Sequence, residues 1–447
     1  MAHSDDALPA GGRTRAETAR VDVGHTEVSP AVARVLVAAF LAAIAAVPLL
    51  ETAGAHGGAR EEQGSPWSNL ANLSGRARLQ LSDAAVAASA PWWRRIQVAN
   101  REVLAALSAL ERDLDNQSLL GGLLRRPAQR LLTGWLESGN ERVYPGRNGW
   151  LFYRADVEYL TGRGFLDPAQ QQRRVVAASE WTAVPHPDPR PAIQQFHRDL
   201  QARGISLVVV PTPVKAGVHP EMLAGGDPGG DVLHNRSYPE FVKELRAAGV
   251  LVFEPGTVMA EGRHAGPLYL RTDTHWLPQT MEAVAERLAA FIDSHVRLPA
   301  VADPGYRVQR VEVRNLGDTA RMLDLSPGDP LFPDESVWLR RILLEDGSLW
   351  RSSRTADILL LGDSFTNMYA LASMDWGTSA GFAEQVSYIL RRPIDRLTQN
   401  DEGAFATRRT LQQDPGMLDG KRVVIFQFAV RELVSGDWRI LPLSPGR

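Results

Sequence analysis

Ser364, in the segment Gly362-Asp363-Ser364, stands in a setting that indicates nucleophilic chemistry. The apolar run Asp357 to Leu361 precedes it, and Gly362 permits a sharp turn that would present the serine at the start of a helix. A serine hydroxyl is a weak nucleophile near neutral pH, so it needs a neighbouring base and a group that orients the base. Taken alone, the motif also fits a serine that caps a helix.

His275 is the predicted base, because Asp273 lies two residues before it. In an extended segment residues i and i+2 point the same way, so the carboxylate could hold Nδ1–H while Nε2 faces the serine. A histidine before a helix is also common as a packing residue. The joint appearance of both motifs at two strand ends of one predicted sheet favours a catalytic triad. In it Ser364 is the nucleophile, His275 the base and Asp273 the orienting carboxylate.

Several side chains near these motifs are predicted to contact substrate or a developing oxyanion: Asn367, Tyr369, Lys215, Arg431 and Trp276. A helix that begins at Ser364 would add backbone N–H donors.

Each of these assignments has a structural alternative. Lys215 also fits a solvated surface lysine, and Arg431 could pair with Glu432. Trp276, Trp376 and Trp438 could stack on sugar rings or fill the core.

A metal site is the competing interpretation of the histidines. It would combine His275 and Asp273 with one of three others, His264, His234 or His219. No two histidines have the i, i+4 spacing of a helical zinc motif, so we predict neither a metal nor a cofactor.

Composition limits the class of protein. The chain has 447 residues, 44% of them hydrophobic, which is enough for a large core. Its net charge of −3 shows no excess of basic residues of the kind that binds nucleic acid. Cysteine is absent, which excludes disulfides and thiolate chemistry.

The N-terminal part predicts export. Residues 1–30 are polar and predicted to be disordered, and residues 31–50 include the apolar run Val35 to Leu50, interpreted as a membrane anchor or signal. Ala53-Gly54-Ala55 resembles a signal-peptidase site, so a cleaved signal is the alternative, and a buried core helix is a third. Arginines on the N-terminal side favour a cytoplasmic N-terminus and an exported body.

The remaining chain divides into a linker and helical segment, 51–143, with helical spacing from Gly75 to Asn140, and a catalytic domain, 144–447. In the catalytic domain, short apolar runs alternate with amphipathic helices, which predicts an α/β, doubly wound parallel sheet. Leu268 to Thr272 is predicted to be one of its strands, and Arg422 to Phe428 to complete it. Residues 308–354 lack helical periodicity and are interpreted as a β-rich insertion.

Five segments together resemble the alginate O-acetyltransferase family of the AlgX/AlgJ kind, over about Tyr144 to Trp438. They are Gly149-Trp150-Leu151-Phe152, the Pro-x-x-x-Lys stretch that ends at Lys215, Asp273-Thr274-His275-Trp276, Gly362-Asp363-Ser364-Phe365 and Phe426 to Leu433.

The resemblance implies an SGNH-hydrolase-like fold in which the Asp-x-His motif precedes the serine, as it does here. It also implies transfer of acetyl groups to hydroxyls of an exopolysaccharide in the periplasm. A polytopic membrane O-acyltransferase would supply the acetyl group. An esterase that deacetylates a glycan and a noncatalytic polysaccharide-binding scaffold of an export complex are the alternatives.

Overall fold

The computed structural model describes residues 29–55, 100, 103–104, 107–108, 111, 119–177, 185–226, 229–400 and 403–443. By contacts the chain divides into two units, Met1–Arg125 and Arg126–Arg447. Residues 1–28 of the predicted disordered segment and most of the predicted helical segment lie outside the described residues.

The first unit contains the helix α1, Pro30–Ala55, over the predicted anchor. Within the part of the chain that the structure describes, no helix combines the length and the apolar character that a membrane crossing requires. The prediction of a membrane anchor is therefore not supported by the described residues.

Nine strands are described: β1 Val143–Pro145, β2 Leu151–Tyr153, β3 Ser206–Thr212, β4 Leu251–Val252, β5 Arg307–Asn315, β6 Glu335–Leu343, β7 Ile358–Gly362, β8 Asp395–Thr398 and β9 Val423–Ala429. The helices that follow α1 are α2 Leu119–Trp135, α3 Arg154–Thr161, α4 Pro168–Ala177, α5 Pro189–Gln201, α6 Lys215–Val218, α7 Pro220–Ala224, α8 Tyr238–Ala247, α9 Pro255–Gly262, α10 Pro278–His295, α11 Asp318–Met322, α12 Ser364–Asn367, α13 Phe382–Leu390, α14 Ala406–Gln413 and α15 Glu432–Ser435.

Five strands form one parallel sheet in the order β4-β3-β9-β7-β8. This confirms the predicted α/β fold with a parallel sheet. The last strand, β9, completes the sheet as predicted and lies at its centre, between β3 and β7. The carboxyl ends of β7 and β9, where ligands bind in open α/β sheets, are therefore neighbours.

The inner strands β3, β7 and β9 are apolar at most positions because both faces of the sheet are covered. One face packs into a core with Val208, Val210, Ile358, Leu360, Val423 and Ile425. The opposite face packs into a second core with Leu207, Val209, Leu359, Leu361, Val424 and Phe426.

The segment from Leu268 to Thr272 is not a strand of this sheet, contrary to the prediction. Tyr269 forms an antiparallel bridge with Trp276, and the amide of Leu270 donates to the carbonyl of His275 at 3.1 Å. The chain thus folds back on itself, and Asp273 and His275 lie in the turn, which we call the catalytic loop (residues 270–276).

Strands β5 and β6 form a separate antiparallel ribbon, paired from Arg307–Leu343 to Asn315–Glu335, in the region predicted to be a β-rich insertion. The short helix α11 lies between them in the chain. Strand β2 likewise pairs with β1 outside the main sheet.

Lys215 fixes the catalytic loop to the body of the domain. The side chain is fully buried, and Nζ donates to the carbonyl oxygens of Leu270, Arg271 and Asp273 at 3.1, 3.0 and 2.7 Å. Burial lowers the pKa of Lys215 to about 8, while nearby carboxylates oppose the shift, so the group keeps most of its charge at neutral pH. Three donated protons are all that an ammonium group has.

We expect Lys215→Met to lower the free energy of unfolding by about 3 kcal/mol or more, because three buried carbonyls lose a charged donor. Lys243→Met is the matched control, since that lysine is exposed and makes only a surface ion pair with Glu240. Urea unfolding of both variants measures the difference. Equal stabilities would show that the loop does not depend on this lysine.

Candidate active site

Ser364 is the first residue of α12, and only Asp363 separates it from the end of β7. The preceding Asp363 caps the turn: Oδ1 accepts from the amide of Phe365 at 2.9 Å, and Oδ2 accepts from the amide of Ala429 at 2.7 Å. The same carboxylate therefore ties the serine turn to the end of β9. Ser364 itself is partly exposed.

Gln427 is a buried polar side chain on the central strand β9. Its Oε1 accepts from the amide of Asp363 at 3.1 Å and from Thr366 Oγ1 at 2.8 Å, and its Nε2 donates to Thr212 Oγ1 at 3.1 Å. The amide thus joins β3, β9 and the serine turn. Sequence reasoning quoted this residue only as part of a motif and did not assign it this role.

Asp273 and His275 form the predicted pair. Asp273 Oδ1 lies 2.6 Å from His275 Nδ1 and also accepts from the backbone amide of His275 at 3.1 Å. Asp273 Oδ2 accepts from the amide of Asp318 at 2.9 Å and from Trp376 Nε1 at 3.0 Å. Burial opposes ionisation, but these donors and the charge of His275 lower the pKa of Asp273.

Asp318, the first residue of α11, brings a second carboxylate to the histidine. Its Oδ2 accepts from Thr274 Oγ1 at 2.6 Å and lies 3.8 Å from His275 Nδ1, and its Oδ1 accepts from the amide of Thr274 at 2.7 Å. Burial and the negative charge of Asp273 raise the pKa of Asp318. This residue lies 45 positions from Asp273 at the start of a five-residue helix, and no local sequence pattern marks it.

The pKa of His275 is raised above its ordinary value. Burial alone would lower it, but the hydrogen bond and charge of Asp273, together with Asp318, outweigh burial. The imidazole is thereby a stronger base than a free histidine.

Close packing holds α11 and the ribbon against the catalytic loop. A Cβ on Gly317 would lie 2.0 Å from the carbonyl oxygen of Thr272, so only glycine fits there. Glu335, the first residue of β6, accepts from the amides of Arg271 and Thr272 at 3.0 and 2.8 Å, and from Thr272 Oγ1 at 2.6 Å. The loop is therefore held from the body by Lys215 and from the ribbon by Glu335.

Phe365 connects the serine turn to the base. Phe365 directly follows Ser364 in the chain, and the centroid of its ring lies 4.8 Å from the centroid of the His275 ring. His275 Nε2 is buried and has no hydrogen-bond partner among the described residues. The atom that would accept the serine proton is thus free of other hydrogen bonds among the described residues, and its ring packs against the residue after Ser364.

A cavity of about 60 Å³ opens at Ser364, between the ends of β7 and β9. Its lining includes Asn400, Gln427 and Arg431. Arg431 pairs with the buried Asp156 at 3.0 Å, rather than with Glu432. The guanidinium of Arg431 therefore lines the cavity while it is paired with the carboxylate of Asp156.

Three predicted ligand contacts do not fit their surroundings. Tyr369 is fully buried and donates to the carbonyl of Trp276 at 2.6 Å, and Trp276 is fully buried against Phe365. Neither can touch an oxyanion or a sugar. Asn367 is also buried, and its Nδ2 donates to Asn400 Oδ1 at 2.7 Å.

Asn400 lines the cavity and was missed by sequence reasoning. It follows β8, the strand next to β7, so the neighbouring strand ends bring it towards Ser364. Only knowledge of the strand order could have found it.

Lys215 cannot bind substrate through Nζ, because its three protons serve the catalytic loop. The interpretation as a solvated surface lysine is wrong because the side chain is fully buried.

The three other histidines considered as metal ligands have different surroundings. His219 pairs with Glu221, His234 stacks on Tyr238, and His264 is exposed. Asp273, His275 and Asp318 present ligand atoms within 4.8 Å of one another, the spacing of a cation site. A cation there would have to displace the Nδ1–Oδ1 hydrogen bond and the amide donors of both carboxylates. The donor pattern fits a proton on Nδ1 better than a metal.

Comparison with known proteins gives one family. The model described as an SGNH hydrolase-like domain, acetyltransferase AlgX, matches residues 143–430. The probable alginate O-acetylase AlgJ of Pseudomonas aeruginosa is 27% identical over 300 residues, which span 66% of this chain and 71% of that protein. The protein of the same description from Pseudomonas putida is 25% identical over 310 residues, with the same shares.

A solved structure has the same fold. The O-acetyltransferase domain of Pseudomonas putida AlgJ superposes with a TM-score of 0.50 at 23% identity, over 65% of this chain and 92% of that domain. The family model spans more than half of the chain, including both motifs and the whole parallel sheet. The chain therefore belongs to the AlgX family of SGNH hydrolase-like acetyltransferases.

Proposed function

We propose that this acetyltransferase moves an acetyl group through an ester on Ser364 to hydroxyls of an exopolysaccharide. The observation that carries the proposal is the buried Asp273–His275 pair, whose imidazole packs against Phe365, the residue after Ser364, and whose Nε2 has no hydrogen-bond partner among the described residues. The membership of an acetyltransferase family supports the reaction class.

In the first step His275 Nε2 takes the proton of Ser364 Oγ as Oγ attacks the carbonyl carbon of the acetyl donor. The donor's leaving group departs with that proton, which leaves an acetyl ester on Ser364. In the second step His275 takes the proton of a sugar hydroxyl, and the sugar oxygen attacks the ester. Ser364 leaves as an alkoxide and recovers its proton from His275. Asp273 keeps Nδ1 protonated and stabilises the imidazolium in both steps.

The developing oxyanion needs donors, and α12 is only four residues long, so a helix dipole adds little. The amide of Phe365 is already bonded to Asp363. Asn400 lines the same cavity as Ser364, and its side-chain amide is a hydrogen-bond donor. In this structure its Nδ2 contacts Met374 Sδ at 3.2 Å. We propose Asn400 as an oxyanion donor.

The acceptor and the cellular setting are proposals from relatedness. The curated relatives carry the name alginate O-acetylase, and we propose an exopolysaccharide acceptor, without assigning alginate to this chain. We further propose that the enzyme works in the periplasm and that a polytopic membrane O-acyltransferase supplies the acetyl group.

We expect Ser364→Ala to lose at least about 10³-fold in release of p-nitrophenol from p-nitrophenyl acetate and to form no acetyl-enzyme by mass spectrometry. His275→Ala should lose a similar factor. Ser326→Ala, on the loop after α11, is the control. Product analysis with and without a glycan acceptor separates transfer from hydrolysis: acetate alone in both cases would favour the esterase. Unchanged ester cleavage in Ser364→Ala would refute the nucleophile assignment.

The pH profile should report His275. The base must be neutral to accept a proton, so a raised pKa predicts that the rate of ester cleavage rises with pH through a midpoint above 6.5. Asp318→Asn removes one of the charges that raise this pKa, so its midpoint should move to lower pH, with a plateau rate within roughly tenfold of the parent. Asp334→Asn, at an exposed carboxylate paired with Arg314, should leave the midpoint in place. A midpoint below 6.5 in the parent would contradict the assignment.

Export can be tested in the native cell. We expect a C-terminally tagged full chain to appear in the periplasmic or membrane fraction, and a chain that lacks residues 1–55 to remain in the cytoplasm, because the apolar run is the export signal. A cytoplasmic full chain would reject the periplasmic proposal.

A further inference from the structure

We propose that one face of the β5–β6 ribbon binds an acidic polysaccharide, with the indole of Trp338 stacked on a sugar ring and Arg310 beside it. The proposal rests on the proposed function for the identity of this polysaccharide as the acceptor. It adds a binding site on the ribbon that is separate from the cavity at Ser364.

The site is a groove of about 550 Å³ between the ribbon and the start of α10. Strand β5 contributes Arg310 to its lining, β6 contributes Ser336 and Trp338, and Gln279 lies in the first turn of α10. The lining also includes Leu277, two residues after His275 in the chain. The groove therefore begins beside the catalytic loop.

Trp338 has the exposure that a sugar platform requires. The side chains of Val337 and Leu339, its neighbours on β6, are buried, whereas Trp338 is 55% exposed on the other face of the strand. An exposed indole is unusual for a residue with so large an apolar surface, and an indole face is the typical surface for stacking on a pyranose.

The other tryptophans considered as sugar platforms contrast with it. Trp276, Trp376 and Trp438 are exposed by only 0, 1 and 1%. Trp376 uses its Nε1 to bind Asp273, and Trp438 donates to the carbonyl of Glu432.

Charge indicates which sugars fit. The two strands of the ribbon carry five arginines and two glutamates. Arg310 lies over the ring of Trp338, with its guanidinium carbon 5.4 Å from the centroid. Its charge opposes the rise in the pKa of Glu282 that burial causes, and Glu282 lines the same groove, but no anion forms a direct ion pair with Arg310 among the described residues. A sugar carboxylate would provide that anion, because guanidinium and carboxylate pair bidentately.

The groove also continues past the catalytic loop, as a polymer requires. A second groove of about 400 Å³ shares Leu277 and Ser336 with the first and is lined by Thr272, the residue before Asp273. A chain bound along both would lie across the outer side of the loop that holds the base.

The test measures binding to the full-length Ser364→Ala variant, so that no turnover is needed. The probes are alginate as an acidic polysaccharide and dextran as a neutral one, followed by calorimetry at low and high salt. The ribbon variants are Trp338→Ala, Trp338→Phe and Arg310→Gln. Trp135→Ala removes a tryptophan that is 85% exposed on α2, and Arg307→Gln removes an arginine of β5 on the other face of the strand.

We expect alginate to bind more tightly than dextran, with an affinity that falls as salt rises. Trp338→Ala should weaken alginate binding about tenfold, in line with the loss of one stacked aromatic ring, while Trp338→Phe should recover most of the affinity. Arg310→Gln should weaken binding and reduce its salt dependence, and the two control variants should match the parent. Cooperative thermal unfolding of each variant checks that it is folded.

Two results would overturn the inference: a parent that binds neither polysaccharide, or a folded Trp338→Ala variant that binds alginate as tightly as the parent. Dextran binding equal to that of alginate would also reject it, because the ribbon charge would then select nothing. Failure of the acetyl-transfer proposal looks different: the unmodified enzyme would transfer no acetyl group, while Ser364→Ala would still bind alginate through Trp338.

Discussion

The 2.6 Å hydrogen bond between Asp273 and His275 requires an ionised carboxylate in the protein interior, and several parts of the domain keep that carboxylate charged. A carboxylate buried this deeply stays ionised only if donors surround it, since burial by itself favours the neutral acid. The amide of Asp318, the indole of Trp376 and the imidazole supply those donors. Asp318 and Trp376 come from parts of the chain far from Asp273, so α11 and the segment before α13 must both be in place before the base can be oriented.

The serine depends on the sheet in a different way. Its turn is short, and Asp363 and Gln427 bind it to the end of β9. Because β9 lies at the centre of the sheet, both of its neighbours position this one turn. The nucleophile is thus fixed by parallel strands, whereas the base is fixed by loops that the sheet does not contain.

That difference explains what the sequence could predict. Ser364 follows an apolar strand and a glycine, and Asp273 lies two residues from His275, so local rules find both motifs. The parallel sheet also follows from short apolar runs that alternate with helices. Asp318 and Asn400 could not be found in this way, because the first is 45 residues from Asp273 with no motif around it and the second depends on the order of strands in space. Lys215 and Tyr369 were assigned to ligands because polar residues near a motif suggest function. Their burial, which only the fold determines, gives them structural partners instead.

Strand β6 contacts the catalytic loop and also lines the groove that contains Trp338. Glu335 binds the amides of Arg271 and Thr272, and Trp338 lies only three residues further along the strand. A shift of the ribbon at Trp338 would therefore be passed through Glu335 to the backbone just before Asp273, the residue that orients His275. By thermodynamic reciprocity, a polymer that binds the ribbon better when the base is correctly oriented would also stabilise that orientation. The enzyme would then be most reactive when its acceptor is already bound, which would limit loss of the acetyl group to water.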